Sequence, residues 1–287
     1  MDNEAHKQAT FLRMHDSCSK PWGAWAPPLA SWPLRLLVKA GLSRGVVRRW
    51  IRKQWEKKYP ARVDACIRGI RFRLDIARNM TDRQLLLSSV HHDREELRAL
   101  ARPVKQGAQG CVFVDLGANT GYYSLSMVRA GYARVLAIEP NPPTLELLKF
   151  NIAANHLENV IEVVPMCVGQ GGQVPFYVDE HALGVASLLV ERDRKVKPIL
   201  VKSAPFLEIL ERNGVARIDG MKIDIEGYED RALGPFFDTA PRSLWPRILV
   251  IEHCHHQVWE TDIIGRMLSV GYTVRNKTRG NSILELN

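Results

Sequence analysis

The chain has 287 residues, of which 46% are hydrophobic and 25% are charged, so a sizeable core is expected and wholesale disorder is excluded. The net charge of +9 is concentrated in residues 35–58, where nine Lys and Arg residues accompany one acid. The rest of the chain is close to neutral, which argues against nucleic-acid binding by the part of the protein outside this segment.

Cysteine usage and hydropathy indicate the cellular setting. The five cysteines are odd in number and lack CxxC spacing, so neither a disulfide framework nor a zinc ribbon is predicted. Free thiols favour a reducing cytoplasm. No run of 18 apolar residues and no signal-peptide pattern occurs, so we expect a cytoplasmic protein without a transmembrane helix.

The first 60 residues are predicted to form a separate N-terminal segment. Residues 1–33 read as a Trp- and Pro-rich arm that docks on another surface. Residues 34–58 have amphipathic helical spacing and are rich in basic residues, with Gly41 and Gly45 dividing them into two helices. Two interpretations are open: a helix packed on the domain with its basic face in solvent, or peripheral contact with an anionic membrane.

A second segment, residues 61–110, leads into the core. Alternating apolar residues over 62–78 predict a hairpin with its turn near Gly69, and residues 81–101 are predicted to be helical.

The third segment, residues 111–287, alternates buried strands with helices. Helices are predicted over 122–129 and 144–155, which implies a mostly parallel sheet covered on both faces. Residues 173–202 indicate a β-hairpin insertion, and residues 270–286 indicate an antiparallel hairpin at the sheet edge. The predicted buried strands are 111–117, 134–140, 161–168, 220–227 and 247–253.

A glycine-rich turn follows the first of these strands, in the sequence VFVDLGANTGYYS. Gly117 and Gly121 suit a sharp bend that a ligand approaches closely, just before a helix N-terminus. Asp115 is expected to accept a hydrogen bond from an ammonium group. That suits the aminoacyl tail of S-adenosylmethionine better than a pyrophosphate. An NAD-linked oxidoreductase is disfavoured because GxGxxG is missing.

Two further strand ends are expected to complete a nucleoside pocket. Glu139 lies 22 residues after Gly117, where an acid can bind ribose hydroxyls. Cys167, with its neighbours Met166 and Val168, is expected to flank the adenine, although ordinary strand-end packing is an alternative.

The run GMKIDIEGYED is unusual because a central strand should be apolar. Alternation places Lys222, Asp224 and Glu226 on one face, and buried charges are costly unless they pair or serve a site. We expect Asp224 and Glu226 at the reaction centre. The alternative is a structural ion-pair network with Lys222.

The next strand ends at Glu252 and His253, which adds an acid and a candidate base. His253 could instead be an ordinary rim histidine. No resident metal is predicted, because the consecutive side chains of residues 253–256 point in alternating directions. A divalent ion held by Asp224 and Glu226 is the alternative.

Several motifs occur together in order: VDLGANTGYYS, AIEPNP, KFNIAAN, MKIDIEGYE and LVIEH. Over about residues 111–286 the chain resembles the FkbM-type methyltransferases. The resemblance implies a Rossmann-like class I methyltransferase fold with S-adenosylmethionine as donor. It implies that Asp224 and Glu226 lie next to the transferred methyl group and that Glu139 binds the ribose. It assigns the cofactor loop to Asp115, Gly117, Asn119 and Gly121.

The leading hypothesis is O-methylation of a hydroxyl on a saccharide or secondary metabolite. In it Asp224 or His253 removes the proton, and Glu226 orients the acceptor. One alternative is a non-catalytic, cofactor-binding scaffold. Another is a nucleic-acid methyltransferase that uses the basic helix, although no NPPY-type or cysteine-nucleophile motif follows the fourth strand.

Overall fold

The buried runs expected from residue 111 onward form one sheet in the computed structural model, which describes residues 18–89, 93–179, 182–183, 188 and 198–287. The strands, in chain order, are β1 (Arg62–Ile67), β2 (Ile70–Asp75), β3 (Val112–Leu116), β4 (Arg134–Ile138), β5 (Ile161–Val164), β6 (Cys167–Val168), β7 (Gly172–Tyr177), β8 (Pro198–Ala204), β9 (Gly220–Ile223), β10 (Ile248–Glu252), β11 (Tyr272–Lys277) and β12 (Asn281–Leu286).

Seven strands form the main sheet in the order β11-β12-β10-β9-β3-β4-β5. Five neighbouring strands of this sheet, β10, β9, β3, β4 and β5, run parallel to one another. By contrast, β12 runs antiparallel to both β10 and β11. The antiparallel C-terminal edge is therefore confirmed. The architecture is the predicted Rossmann-like α/β class I methyltransferase fold.

Helices cover both faces of this sheet because its central strands are apolar on both sides. Phe113 and Val114, adjacent on β3, contribute to two different buried clusters, one on each face. The helices are α1 (Trp32–Lys39), α2 (Gly45–Lys58), α3 (Met80–Leu87), α4 (Arg94–Leu100), α5 (Arg102–Lys105), α6 (Tyr122–Ala130), α7 (Pro142–Ala154), α8 (Phe206–Arg212), α9 (Glu229–Thr239) and α10 (Ile263–Ser269). Within the described ranges, none is long and apolar enough to cross a bilayer.

The two helical faces come from different parts of the chain. Side chains of α2, α3, α4, α6 and α7 join the cluster that contains Phe113, whereas α8, α9 and α10 supply the cluster that contains Val114. The N-terminal helices thus form part of the layer over the sheet. The predicted split between α1 and α2 is confirmed, and the predicted helix over 81–101 is instead two helices, α3 and α4.

The N-terminal arm docks on the β1–β2 hairpin through a buried ion pair. The Arg73 guanidinium and the Asp64 carboxylate have fully buried side chains and lie 2.7 Å apart. Arg73 also donates to the carbonyls of Lys20 and Pro21, and Asp64 accepts from the backbone N–H groups of Gly23 and Trp25. Residues 1–17 of the arm lie outside the described part of the chain. The division at residues 60 and 110 stays a prediction.

One predicted strand, 161–168, is wrong as a single element. Pro165 has no N–H to donate, and the chain leaves the main sheet there. β5 ends at Val164, and β6 pairs with β8 in a separate three-stranded sheet, ordered β6-β8-β7. The antiparallel β7–β8 pair confirms the β-hairpin insertion, whose middle piece, 186–190, lies outside the described residues apart from Leu188.

Candidate active site

A cleft with a volume of about 1250 Å³ opens at the carboxyl ends of the parallel strands. Ligands of open α/β sheets bind at this edge, because the loops after the strands converge there. The predicted site residues that line the cleft are Gly117, Asn119, Glu139, Cys167, Asp224, Glu226 and Glu252. The predicted site residues outside its lining are Asp115, Gly121 and His253.

Gly117 joins the turn after β3 to the segment after β9. Its φ is +83°, and a Cβ built there would lie 2.0 Å from the carbonyl oxygen of Asp224. The sequence predicted close approach of a ligand at this glycine. The structure shows a further reason for glycine, the close approach of the Asp224 backbone, while Gly117 also lines the cleft and its contact with a ligand stays a prediction.

Asn119 adopts a left-handed conformation, with φ +51°, which asparagine tolerates better than most residues. Its Oδ1 accepts a hydrogen bond of 2.6 Å from the Nδ2 of buried Asn79. Asn79 also caps α3 by accepting from the backbone N–H of Asp82. Sequence reasoning missed Asn79, although an Asn three residues before an acid is a recognisable helix start.

Asp82, which is buried on α3, also holds the glycine-rich turn that contains Asn119. Its Oδ1 accepts a 2.6 Å hydrogen bond from the hydroxyl of Thr120, and its Oδ2 accepts from the backbone N–H of Asp75. Complete burial raises the pKa of Asp82 to about 7. The second segment of the chain therefore holds the glycine-rich turn in place.

Asp115 and Gly121 serve the packing of this turn. Asp115 is 1% exposed and accepts a 2.6 Å hydrogen bond from the hydroxyl of Ser124, while burial raises its pKa to about 6. A carboxylate so enclosed lies outside the cleft lining, and its expected contact with an ammonium group stays a prediction. A Cβ on Gly121 would meet Leu125 and Leu148 at 2.6 and 2.7 Å, so its tight contact is with the core.

Glu139 follows β4 and lies at the cleft wall with both carboxylate oxygens held. Oε2 accepts from the backbone N–H of Asn119 at 2.8 Å, and Oε1 accepts from that of Asn141 at 2.9 Å. Burial raises its pKa to about 7, against the opposing effect of these two hydrogen bonds. The Glu139 carboxylate is therefore held in one position relative to the glycine-rich turn. A group that accepts hydrogen bonds from ribose hydroxyls needs such a fixed position.

Cys167 lies on β6 in an apolar stretch of the cleft wall with Met166, Val168 and Phe176. Burial raises the pKa of the Cys167 thiol to about 12, so the group is neutral at physiological pH. A neutral, apolar surface in the same cleft as Glu139 suits a planar heterocycle. Contact with adenine stays a prediction.

The charged strand is shorter than predicted. β9 ends at Ile223, and Glu226 has a left-handed φ of +56° within a turn before α9. The carboxylate of Glu229 stabilises this turn by accepting from the N–H groups of Ile225 and Gly227. Asp224 and Glu226 therefore project from a turn and not from one face of a strand. The hydrogen bonds to Glu229 hold the backbone in this turn.

Lys222 and Asp224 form the ion pair that the alternative interpretation allowed. The Lys222 Nζ, on a residue that is 2% exposed, donates to Asp224 Oδ2 at 3.0 Å. Burial opposes the charge on Lys222, but the charge of Asp224 and this hydrogen bond leave the pKa of the lysine raised. Asp224 thus neutralises a buried cation while its own side chain remains 40% exposed at the cleft.

Glu226 lies against His255, a residue that sequence reasoning did not place in the site. The His255 Nδ1 is 3.5 Å from Glu226 Oε2 and 3.4 Å from Glu252 Oε2. The hydrogen bond to Glu252 raises the pKa of His255 to about 9. Burial and the charge of Asp224 raise the pKa of Glu226 to about 8.

Glu252 is the ionised partner in this cluster. Burial acts to raise its pKa, but hydrogen bonds from His255 and Cys254 outweigh burial and lower it. Near neutral pH the cluster therefore contains an ionised Glu252, a protonated His255, and a Glu226 carboxyl that takes up or releases a proton within reach of physiological pH.

His253 does not lie in this cluster, which corrects its predicted place at the reaction centre. Side chains alternate at the end of β10, so Glu252 faces the cleft and His253 faces β12. The His253 Nδ1 is 3.0 Å from the hydroxyl of Ser282, and burial lowers the pKa of His253. The turn after Glu252 then brings His255 back to the cleft.

Three carboxylates, those of Asp224 and Glu252 at the cleft and of buried Glu229 behind them, offer oxygens within 4.8 Å of one another. The oxygens of Glu229 are used within the protein: Oε2 accepts a 2.8 Å hydrogen bond from the Trp259 indole, and Oε1 accepts from the turn before α9. The expectation of no resident metal stays a prediction.

The chain is similar to several solved methyltransferases, each at 13% identity. For a human methyltransferase 10 domain containing protein the TM-score is 0.45, with 83% of this chain and 93% of that chain covered. For an O-methyltransferase from Bacillus cereus the values are 0.40, 68% and 81%. For the ribosomal protein L11 methylase from Lactobacillus delbrueckii subsp. bulgaricus they are 0.38, 69% and 81%. No curated protein sequence matches the chain closely enough to be a relative.

The Methyltransferase FkbM domain matches residues 115–274, which is more than half of the chain. This span includes the glycine-rich turn, Glu139, the turn before α9 and the end of β10. The matched region therefore contains most of the strand ends that form the cleft, although residues before 115 and after 274 also line it. The chain belongs to the FkbM methyltransferase domain family, and S-adenosylmethionine is its cofactor.

Proposed function

We propose that the protein transfers the methyl group of S-adenosylmethionine to a hydroxyl oxygen of a saccharide or secondary metabolite. The observation that carries this proposal is the cluster of Glu226, His255 and Glu252 at the floor of the cleft. A hydroxyl must lose its proton during methyl transfer, and this cluster contains a carboxyl whose pKa is close to physiological pH.

The residues of the cleft fit the cofactor in chemistry. Glu139 offers fixed carboxylate oxygens to ribose hydroxyls, and the wall that contains Cys167 offers apolar surface to the adenine. Gly117 and Asn119 supply the backbone of the turn, while Asp115 and Gly121 support it from the buried side. The acidic groups at the cleft floor favour a cation, and the bound cofactor supplies a methyl group on a positively charged sulfonium.

Glu139→Gln is expected to weaken binding of S-adenosylhomocysteine at least about tenfold, the scale of a lost charge-assisted hydrogen bond. A glutamine can accept through only one oxygen, so its amide nitrogen would face the N–H of Asn119 or Asn141. Calorimetric titration measures the change, and Glu162→Gln, on the side of β5, is the matched control. Unchanged affinity in Glu139→Gln would remove Glu139 from the binding site.

In the proposed reaction Glu226 takes the proton from the acceptor hydroxyl. Its desolvated carboxylate is a stronger base than an exposed one, since its pKa is raised to about 8. His255 holds the Glu226 side chain by an ion pair and Glu252 holds His255. In this proposal the Asp224 carboxylate, exposed at the cleft, accepts a hydrogen bond from a second hydroxyl group of the substrate.

The cleft has room and polarity for a hydroxylated acceptor beside the cofactor. Its volume exceeds that of ordinary small-ligand sites, which are about 300–1,000 Å³. The cleft is also lined by cationic donors that suit saccharide hydroxyls: Arg83, Lys277 and Arg279. These donors are the support for a saccharide or polyhydroxylated metabolite over an apolar acceptor.

The proposal is tested by incubating the protein with methyl-labelled S-adenosylmethionine and a panel of glycosides, phenols, primary amines and RNA. We expect label in an ether that resists mild base, from a hydroxylated member of the panel. Label only in amines or RNA would replace the proposal with transfer to nitrogen or nucleic acid. Tight cofactor binding without transfer to any hydroxyl would favour a scaffold.

We also propose a cytoplasmic location. Two cysteines, Cys66 and Cys254, are exposed free thiols. Exposed free thiols support a reducing compartment, since they oxidise readily elsewhere.

A further inference from the structure

The N-terminal helices present an apolar surface to solvent, which we call the outer face. On α1 it contains Trp32, which is 60% exposed, and Leu36. On α2 it contains Trp50, which is 49% exposed. The members of the outer face are Leu29, Trp32, Leu36, Leu42, Val46, Val47 and Trp50.

The outer face is distinct from the side by which these helices pack on the domain. Leu34 of α1 and Ile51 and Trp55 of α2 are buried in the core cluster. At about 100° per residue, Val46 and Trp50 share one side of α2, about 140° away from Ile51 and Trp55. Packing on the sheet therefore accounts for one apolar stripe, and the second stripe is left in water at a cost.

Basic residues border the outer face. Lys39 follows Leu36 by one turn on α1, and Lys53 and Lys57 continue the line of Val46 and Trp50 along α2. All three are exposed. The whole segment, residues 35–58, has nine Lys and Arg residues and one acid, so its field is strongly positive.

We propose that the outer face binds an anionic lipid bilayer. A bilayer with acidic headgroups complements both features, because its interfacial region accepts Trp, Leu and Val side chains and its surface attracts Lys and Arg. Single-stranded nucleic acid complements the charge and the two tryptophans but not the aliphatic side chains of the outer face. Phosphates and bases bind cations and aromatic rings, and they leave Leu29, Leu36, Leu42 and Val46 in water.

The packing of the two helices presents the outer face as a fixed surface. Ser43, between the helices, donates from its hydroxyl to the carbonyl of Leu87, and its backbone N–H donates to the hydroxyl of Ser89. The Tyr59 hydroxyl, just past α2, donates to the carbonyl of Ala30 at 2.7 Å. The junction of the two helices is therefore anchored at the end of α3 and their far ends are joined to each other, so binding need not wait for the helices to fold.

The test is flotation of the full-length protein with phosphatidylcholine vesicles, with and without about 30% phosphatidylglycerol. We expect at least about tenfold stronger partition onto the anionic vesicles, declining with salt. Trp32→Ala/Trp50→Ala and Lys53→Gln/Lys57→Gln should each lower that partition about tenfold or more.

Matched variants control for surface change alone. Leu200→Ala removes an apolar side chain that is 68% exposed on β8, and Lys149→Gln/Lys202→Gln removes two exposed charges elsewhere. Both should float like wild type, and circular dichroism checks that every variant is folded.

Equal partition of wild type onto neutral and anionic vesicles, or no partition, overturns the proposal. So does loss of binding in the control variants to the same extent. If the same Lys53→Gln/Lys57→Gln variant instead loses binding to a 30-nucleotide RNA while vesicles never bind, a nucleic-acid surface replaces the lipid surface.

Discussion

Glu226→Gln is expected to lower kcat by about a hundredfold to ten-thousandfold, the usual contribution of a general base, while S-adenosylhomocysteine still binds. Glutamine keeps the size of the side chain and an acceptor oxygen, but it cannot take a proton. The turn before α9 should survive, because the Glu229 side chain and not that of Glu226 accepts its backbone hydrogen bonds. Single-turnover methyl transfer and calorimetric titration measure the two effects separately.

The pH profile of the same reaction tests the protonation state. A base is active when it is ionised, and the pKa of Glu226 is raised to about 8. The rate should therefore rise with pH through about 8, whereas an exposed glutamate would already be fully active near pH 6. In Glu226→Gln the residual rate should lack this rise.

Two companion variants make the result interpretable. Glu158→Gln changes an exposed carboxylate far along the chain from the cluster and should leave rate and pH profile as in wild type. Asp224→Asn keeps the shape of the Lys222 partner and tests the other candidate base. If Asp224→Asn abolishes the rise with pH and Glu226→Gln retains it, Asp224 is the base and our assignment is wrong.

The fold was predictable because its strands are continuous apolar runs of β-branched and aliphatic residues. The pair Phe113 and Val114 illustrates the reason: each faces a different helical layer, so both must be apolar. Errors arose where a single residue ends an element that its neighbours favour. Pro165 ends β5 before its apolar run is complete, and the Glu229 carboxylate ends β9 by binding the turn beyond it.

The site was predictable in location but less so in side-chain direction. Acids at strand ends had to meet at one sheet edge, and Glu139, Asp224, Glu226 and Glu252 do line one cleft. Alternation along a strand excludes His253 once Glu252 faces inward, but the return of His255 depends on the geometry of a turn. The long-range partners of the glycine-rich turn, Asn79 among them, depend on packing that local sequence does not encode.

Gly117→Ala is expected to destabilise the protein by more than about 4 kcal/mol, at the extreme of single substitutions. The new Cβ would lie 2.0 Å from the Asp224 carbonyl oxygen and 3.0 Å from its carbonyl carbon. Both are backbone atoms, so no side-chain rotation can relieve the contact. The turn after β3 or the turn before α9 must move, and either movement disrupts the cleft between them.

Gly107→Ala separates this clash from the cost of an unfavourable backbone conformation. Gly107 has φ +86°, close to the +83° of Gly117, but nothing lies within 4 Å of a Cβ built there. Gly107→Ala should therefore cost only about 1–2 kcal/mol, the usual penalty for an L-residue in left-handed backbone. Urea unfolding of the two variants measures the difference, and calorimetry follows S-adenosylhomocysteine binding. Similar losses of stability in both would mean that backbone conformation alone matters at Gly117. A loss several-fold larger in Gly117→Ala, with cofactor binding abolished only there, would establish that the approach of Asp224 to the glycine-rich turn holds the site together.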